Sequence, residues 1–80
     1  MWIVYVLYSP VARRRYIGFT SDLKRRLEEH NKGYNKSTKA YKPWIVVYTE
    51  EYVLQEDARK REVYLKSGIG REFLNNKLDL

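Results

Sequence analysis

Four polar side chains stand where regular elements would present them together: Tyr5, Tyr16, Arg26 and Glu62. A phenol donates and accepts hydrogen bonds, a guanidinium offers oxyanions a planar, permanently charged fork, and a carboxylate takes hard cations or basic side chains. Tyr5 lies inside an apolar run, and Tyr16 opens a second run eleven residues later. Paired as a hairpin, the two runs would bring the phenols within a residue or two of opposite each other. Arg26 shares a helical stripe with Leu23, Leu27 and His30. Glu62 stands four residues after Ala58 and three before Leu65, at the edge of another apolar face. Singly, each has a plain structural role. A strand tyrosine is usually a core residue with its hydroxyl at the rim. Arg26 belongs to the run Lys24-Arg25-Arg26, and Glu62 has Arg59 and Lys66 one helical turn away as ordinary partners. His30, near a helix C-terminus, complements the helix dipole. Only as a set do they describe a site.

The elements that must hold this set are legible from periodicity and punctuation. Residues 2–8 are continuously apolar or aromatic, which predicts a strand buried on both faces. Ser9-Pro10 ends it, and Tyr16-Ile17-Gly18-Phe19-Thr20 predicts a second strand close enough to pair as a hairpin. Thr20, Ser21 and Asp22 offer N-cap oxygens for a helix that Gly33 stops. Residues 33–43 are polar and basic, and read as an exposed loop with room for one helical turn. Trp44 to about Tyr52 forms a third strand. Leu54, Ala58, Arg61 and Leu65 then follow helical spacing, with Ser67-Gly68 as a stop and a last short helix from about Arg71 to Asn76. The expected architecture is α+β, a three-stranded antiparallel sheet flanked by helices in the order β-β-α-β-α-α, with residues 1–80 as one domain.

The ordered set resembles the GIY-YIG nuclease family. The first motif here reads Ile3-Val4-Tyr5, keeping only the tyrosine of the name, whereas Tyr16-Ile17-Gly18 is an intact second motif. Phe19 to Asn31 is similar to the family's arginine helix, and Ala58 to Lys66 to its metal-carboxylate helix. The resemblance spans nearly the whole chain; the departure in the first motif bears on substrate fit more than on the phenol. It implies a phosphodiesterase in which Glu62 holds one Mg²⁺ or Mn²⁺ ion and Arg26 neutralises the phosphate. Tyr5 or Tyr16 would activate the attacking water, with His30 as a helper. A free phenol titrates near pH 10, so this role would need nearby cations to lower that value. Gly18 would form a floor beneath the phosphate. Arg15, Lys36, Thr38 and Lys39 would line the nucleic-acid path, and Asn75 or Asn76 matches a C-terminal asparagine of some relatives.

Charge agrees with such a partner. Residues 1–42 carry ten Lys/Arg against three Asp/Glu, while residues 43–80 carry six against seven, so the net +6 is concentrated in the first half. That asymmetry favours a polyanion approaching one side. There is no cysteine for disulfides or thiolate metal sites. No apolar run reaches the roughly 18–20 residues of a membrane span, and the start lacks a basic leader and small-residue cleavage site. The expectation is a cytoplasmic DNA endonuclease of low sequence specificity, selective for structure, with RNA a further possible substrate and no membrane partner. Without room for a second DNA-reading module, it would recognise flaps, branches or single strands. The alternative reading is a non-catalytic nucleic-acid-binding module on the same fold.

Overall fold

Trp2–Ser9 forms strand β1, and the unbroken apolar run at its centre is explained by its place in the middle of the sheet. The computed structural model describes residues 1–78. Arg14–Thr20 is β2 and Ile45–Tyr52 is β3; both pair antiparallel with β1, giving the order β2-β1-β3. Helix α1 spans Leu23–Lys32, α2 spans Gln55–Lys66 and α3 spans Gly68–Leu78, so the expected α+β order stands. Val4 and Val6 point to one face of β1, where Ala58 and Leu65 of α2 and Leu74 of α3 pack. Tyr5 and Leu7 point to the other, against Trp44, with Tyr16 and the α1 residues Leu23 and Leu27 around them. Alternation along one central strand therefore feeds two separate cores.

Local chemistry sets the element ends. The Asp22 side chain accepts from the Arg25 backbone N–H at 3.1 Å and caps α1. Gly33 closes α1 in the left-handed conformation, at φ 82°. The following loop makes a single 3-10 turn, Lys39–Tyr41, and is fastened by Asn31, whose side chain donates to the Trp44 carbonyl at 3.1 Å and accepts from the Trp44 N–H at 2.6 Å.

Three expectations in the second half change. Leu54 is 60% exposed at the N-terminal edge of α2 and is not part of its buried face. Arg61 leaves the apolar stripe to fork onto Glu50 of β3, Nε to Oε1 at 2.9 Å and Nη2 to Oε2 at 3.1 Å, between the rings of Tyr64 and Phe73. Burial opposes the Glu50 charge, but hydrogen bonds from Arg61, Tyr48 and Tyr52 hold its carboxyl below the usual range. The last helix starts at Gly68, three residues before the expected Arg71. Ser67 ends α2 and at once accepts the Gly70 N–H on its hydroxyl, 3.2 Å away, so one residue serves both helices. A Cβ at Gly70 would overlap the Tyr64 carbonyl and Leu65 backbone, so glycine lets α3 lie close on α2. Among the described residues no helix is long and apolar enough to cross a membrane.

Candidate active site

The hairpin register decides how the two phenols meet. Tyr5 stands opposite Gly18, and Tyr16 opposite Leu7, so both tyrosines face the same side, two positions apart. Their rings lie 6.4 Å apart and 30° from parallel. Tyr5 lies across the edge strand in the space where residue 18 has no side chain: a Cβ there would sit 2.6 Å from the Tyr5 hydroxyl oxygen. Gly18 is buried, and its missing side chain is filled by that phenol rather than by a ligand phosphate. The expected phosphate floor is corrected accordingly. Gly18→Ala is expected to cost about 1–3 kcal/mol, because the ring must be displaced within a packed core. Urea unfolding measures this, and an unchanged midpoint would mean the phenol does not rest on position 18.

Beneath the phenols sits His30, with no exposed surface. Its Nδ1 is 2.8 Å from the Thr38 hydroxyl, its Nε2 is 3.4 Å from the Tyr5 hydroxyl, and its ring is 4.8 Å from that of Tyr16. The Thr38 hydroxyl donates to the Asn35 carbonyl at 3.4 Å, leaving a lone pair for a His30 Nδ1–H. Nε2 is then the acceptor facing Tyr5. Thr38 is 1% exposed and its carbonyl accepts from the Trp44 indole at 2.9 Å. It therefore does not line a nucleic-acid path; it orients the histidine. Lys36 and Lys39, on the same loop, are exposed.

Burial, and next the Arg26 charge, push the His30 imidazole below its ordinary range, so it is neutral at pH 7. The unfolded chain binds a proton near pH 6.5 that the folded chain resists, so stability is complete above that value and declines as pH falls through it. This is the only histidine. Urea midpoints are expected to drop between pH 7 and 5 in the parent protein and to stay nearly level in His30→Gln. Parallel pH profiles would contradict a buried neutral imidazole.

Arg26 reaches over from α1. Its Nη1 donates to Glu29 Oε1 at 3.0 Å, and its side chain keeps 37% of its surface exposed. Its guanidinium also acts on Tyr5, but burial outweighs it, and the Tyr5 phenol is raised above its ordinary range. Arg26 by itself therefore does not bring the Tyr5 phenol, 1% exposed, below its ordinary range. Tyr16 is only half-buried. Glu62 approaches from the opposite side of the sheet edge, on α2. Its side chain is 16% exposed, its charge reaches Tyr5, and Oε1 pairs with Lys66 Nζ at 3.2 Å. The i,i+4 partner expected from spacing is thus present, and the carboxylate is largely sheltered from solvent.

Two phenols, a guanidinium and a neutral imidazole thus gather on one face of the β1–β2 hairpin, drawn from β1, β2 and α1, and the Glu62 charge on α2 acts on Tyr5. The family profile described as the GIY-YIG catalytic domain matches residues 1–75. The chain belongs to the GIY-YIG family. Catalytic domains of the GIY-YIG family are generally nucleases. UPF0213 proteins of Staphylococcus aureus, in several strains, are 40% identical over 53 residues, a match covering 65% of this chain and 65% of theirs. The alignment thus takes in less than two thirds of those relatives' length. A UPF0213 protein from Bacillus halodurans, solved by solution NMR, is 30% identical with a TM-score of 0.57, covering 95% of this chain and 84% of that one.

For a GIY-YIG domain the remaining question is the ion. Among the described residues no three His, Cys, Asp or Glu side chains gather to form a metal cage. A single partly sheltered carboxylate fits a hard cation that keeps most of its waters, as Mg²⁺ does. Two further positions had no distinct sequence signal. From sequence Lys66 reads only as a salt-bridge partner, and Arg71 only as a helix start; both line a cleft beside Tyr16 together with Arg15. Asn75 and Asn76 are exposed on α3, and no hydrogen bond among the described residues links them to the phenols.

Proposed function

We propose that this protein is a metal-dependent endonuclease that hydrolyses DNA phosphodiester bonds with low sequence specificity, selecting structured or single-stranded DNA; RNA is a second possible substrate. The gathering of Tyr5, Tyr16, Arg26 and His30 on one face of the β1–β2 hairpin, with the Glu62 charge acting on Tyr5 from α2, supports this reading. A phosphodiester repels nucleophiles because its oxygens are already negative, and charge grows further on the way to the transition state. Arg26 supplies a fixed, partly exposed fork for the non-bridging oxygens. Tyr16 is the phenol that solvent reaches, so it orients the attacking water. Tyr5, buried and facing the His30 Nε2 acceptor, holds the edge strand and Arg26 in register. His30 and Thr38 position Tyr5. Glu62 would hold the Mg²⁺ or Mn²⁺ ion, and the ion, when bound, supplies Lewis-acid neutralisation of the phosphate.

The placement of the cations supports low specificity. Lys36 and Lys39 on their loop, and Arg15 on β2, suit contacts with the sugar-phosphate backbone, which position a duplex without reading its sequence. The direct test is cleavage of labelled flaps, branches, single strands, plain duplex and RNA with Mg²⁺ and with Mn²⁺. Cleavage of structured DNA above plain duplex is the expected outcome. Binding across the panel with no cut strand would make the protein a binding module instead.

A further inference from the structure

Where the outer end of β2 meets the junction of α2 and α3, a cleft of about 230 Å³ is lined by Arg15, Tyr16, Ile17, Lys66 and Arg71. Three of these five are cations, from three different elements, and no carboxylate among the described residues lines the cleft. Lys66 bridges to Glu62, but neither Arg15 nor Arg71 forms an ion pair among the described residues. The first turn of α3, which carries Arg71, contains no acidic residue. Like charges gathered around one concavity repel each other, and an anion placed among them relieves that repulsion. Ile17 gives the cleft an aliphatic wall, and Tyr16 borders it.

We infer that this cleft is a subsite for a non-scissile phosphate of the bound strand, with Arg71 and Arg15 as its principal ligands. Its identity as a nucleic-acid phosphate rests on the proposed nuclease function. The cleft adjoins the reacting groups without coinciding with them: Tyr16 borders both, and Lys66 spans from the cleft to Glu62. Arg26 and Tyr5 do not line it. A strand whose scissile phosphate lies between Tyr16, Arg26 and Glu62 would therefore seat a neighbouring phosphate here. The subsite would fix the direction and register in which the strand crosses the sheet edge.

The test measures binding without divalent metal, so that it is independent of turnover, using a short flap duplex, whose junction fixes the register, in which one phosphate near the junction at a time is replaced by a neutral methylphosphonate. Arg71 is exposed, so Arg71→Gln should fold normally, and Lys60→Gln removes an equal charge from α2 as a control. Arg71→Gln is expected to weaken binding roughly three- to tenfold and to lower the salt slope by about one, an effect Lys60→Gln lacks. One methylphosphonate position, apart from the bond cut in the cleavage assay, should weaken binding to the parent but not to Arg71→Gln. If Arg71→Gln binds like the parent, or the two scans coincide, the subsite is overturned even where the parent cleaves DNA. If the Arg71-dependent position appears but no strand is cut, the subsite stands and the nuclease assignment fails.

Discussion

Glu62→Gln is expected to slow strand cleavage by at least about 10³-fold while DNA affinity measured without metal stays within about twofold. The size follows from the role. Lewis-acid neutralisation of a phosphoryl transition state supplies several kcal/mol, and each 1.36 kcal/mol is a factor of about ten in rate. Glutamine keeps the shape of the side chain and removes the charge that a hard cation requires. The change should not unfold the domain. The Glu62–Lys66 pair spans one turn, with the lysine 54% exposed, and such pairs contribute at most about 1 kcal/mol. Single-turnover cleavage, a salt titration of binding and a Mn²⁺ titration of the free protein separate these effects. A Glu62→Gln protein cleaving at the parental rate would remove the carboxylate from the mechanism.

Arg26 should show the second largest effect. Arg26→Ala is expected to reduce cleavage about 10²–10³-fold, comparable to losing one preorganised donor to a developing oxyanion. Arg26→Lys should recover only a small part, because an ammonium cannot present the planar fork that meets two phosphate oxygens at once. The same substitution has a readout that does not depend on turnover. The Arg26 charge helps to hold the His30 imidazole below its ordinary range, so in Arg26→Ala the histidine should protonate at a higher pH, followed by NMR. Tyr5 would also lose the cation that partly offsets its burial and would move further upward. An Arg26→Ala protein with parental cleavage and an unchanged His30 titration would place the guanidinium away from both groups.

Both substitutions act on residues that stood out by type and spacing, whereas their surroundings did not. Tyr5 and Tyr16 could be paired because a short connection between two β-prone runs makes a hairpin, and hairpin geometry limits the offset between them. That Tyr5 would be buried and raised, and so unlike the half-exposed Tyr16, depended on what covers each ring. Burial is a property of α1, Trp44 and the 33–43 loop arriving together. Thr38 illustrates the same limit. On a basic loop it read as a nucleic-acid contact, and only the fastening of that loop through Asn31 and Trp44 carries it inward to the histidine.

Order and ends of the elements were readable from the chain because their causes are local. A continuous apolar run marks the central strand, Asp22 and Gly33 bound α1 through hydrogen bonds a few residues long, and a tyrosine, arginine and glutamate at set spacings carry the family likeness. Tertiary structure alone decided what lies between elements. It laid the Tyr5 phenol over Gly18, drew Arg61 onto Glu50 and joined Arg15, Lys66 and Arg71 around one cleft. Those contacts join residues many positions apart, and their energies depend on register, face and burial, none of which a local pattern specifies.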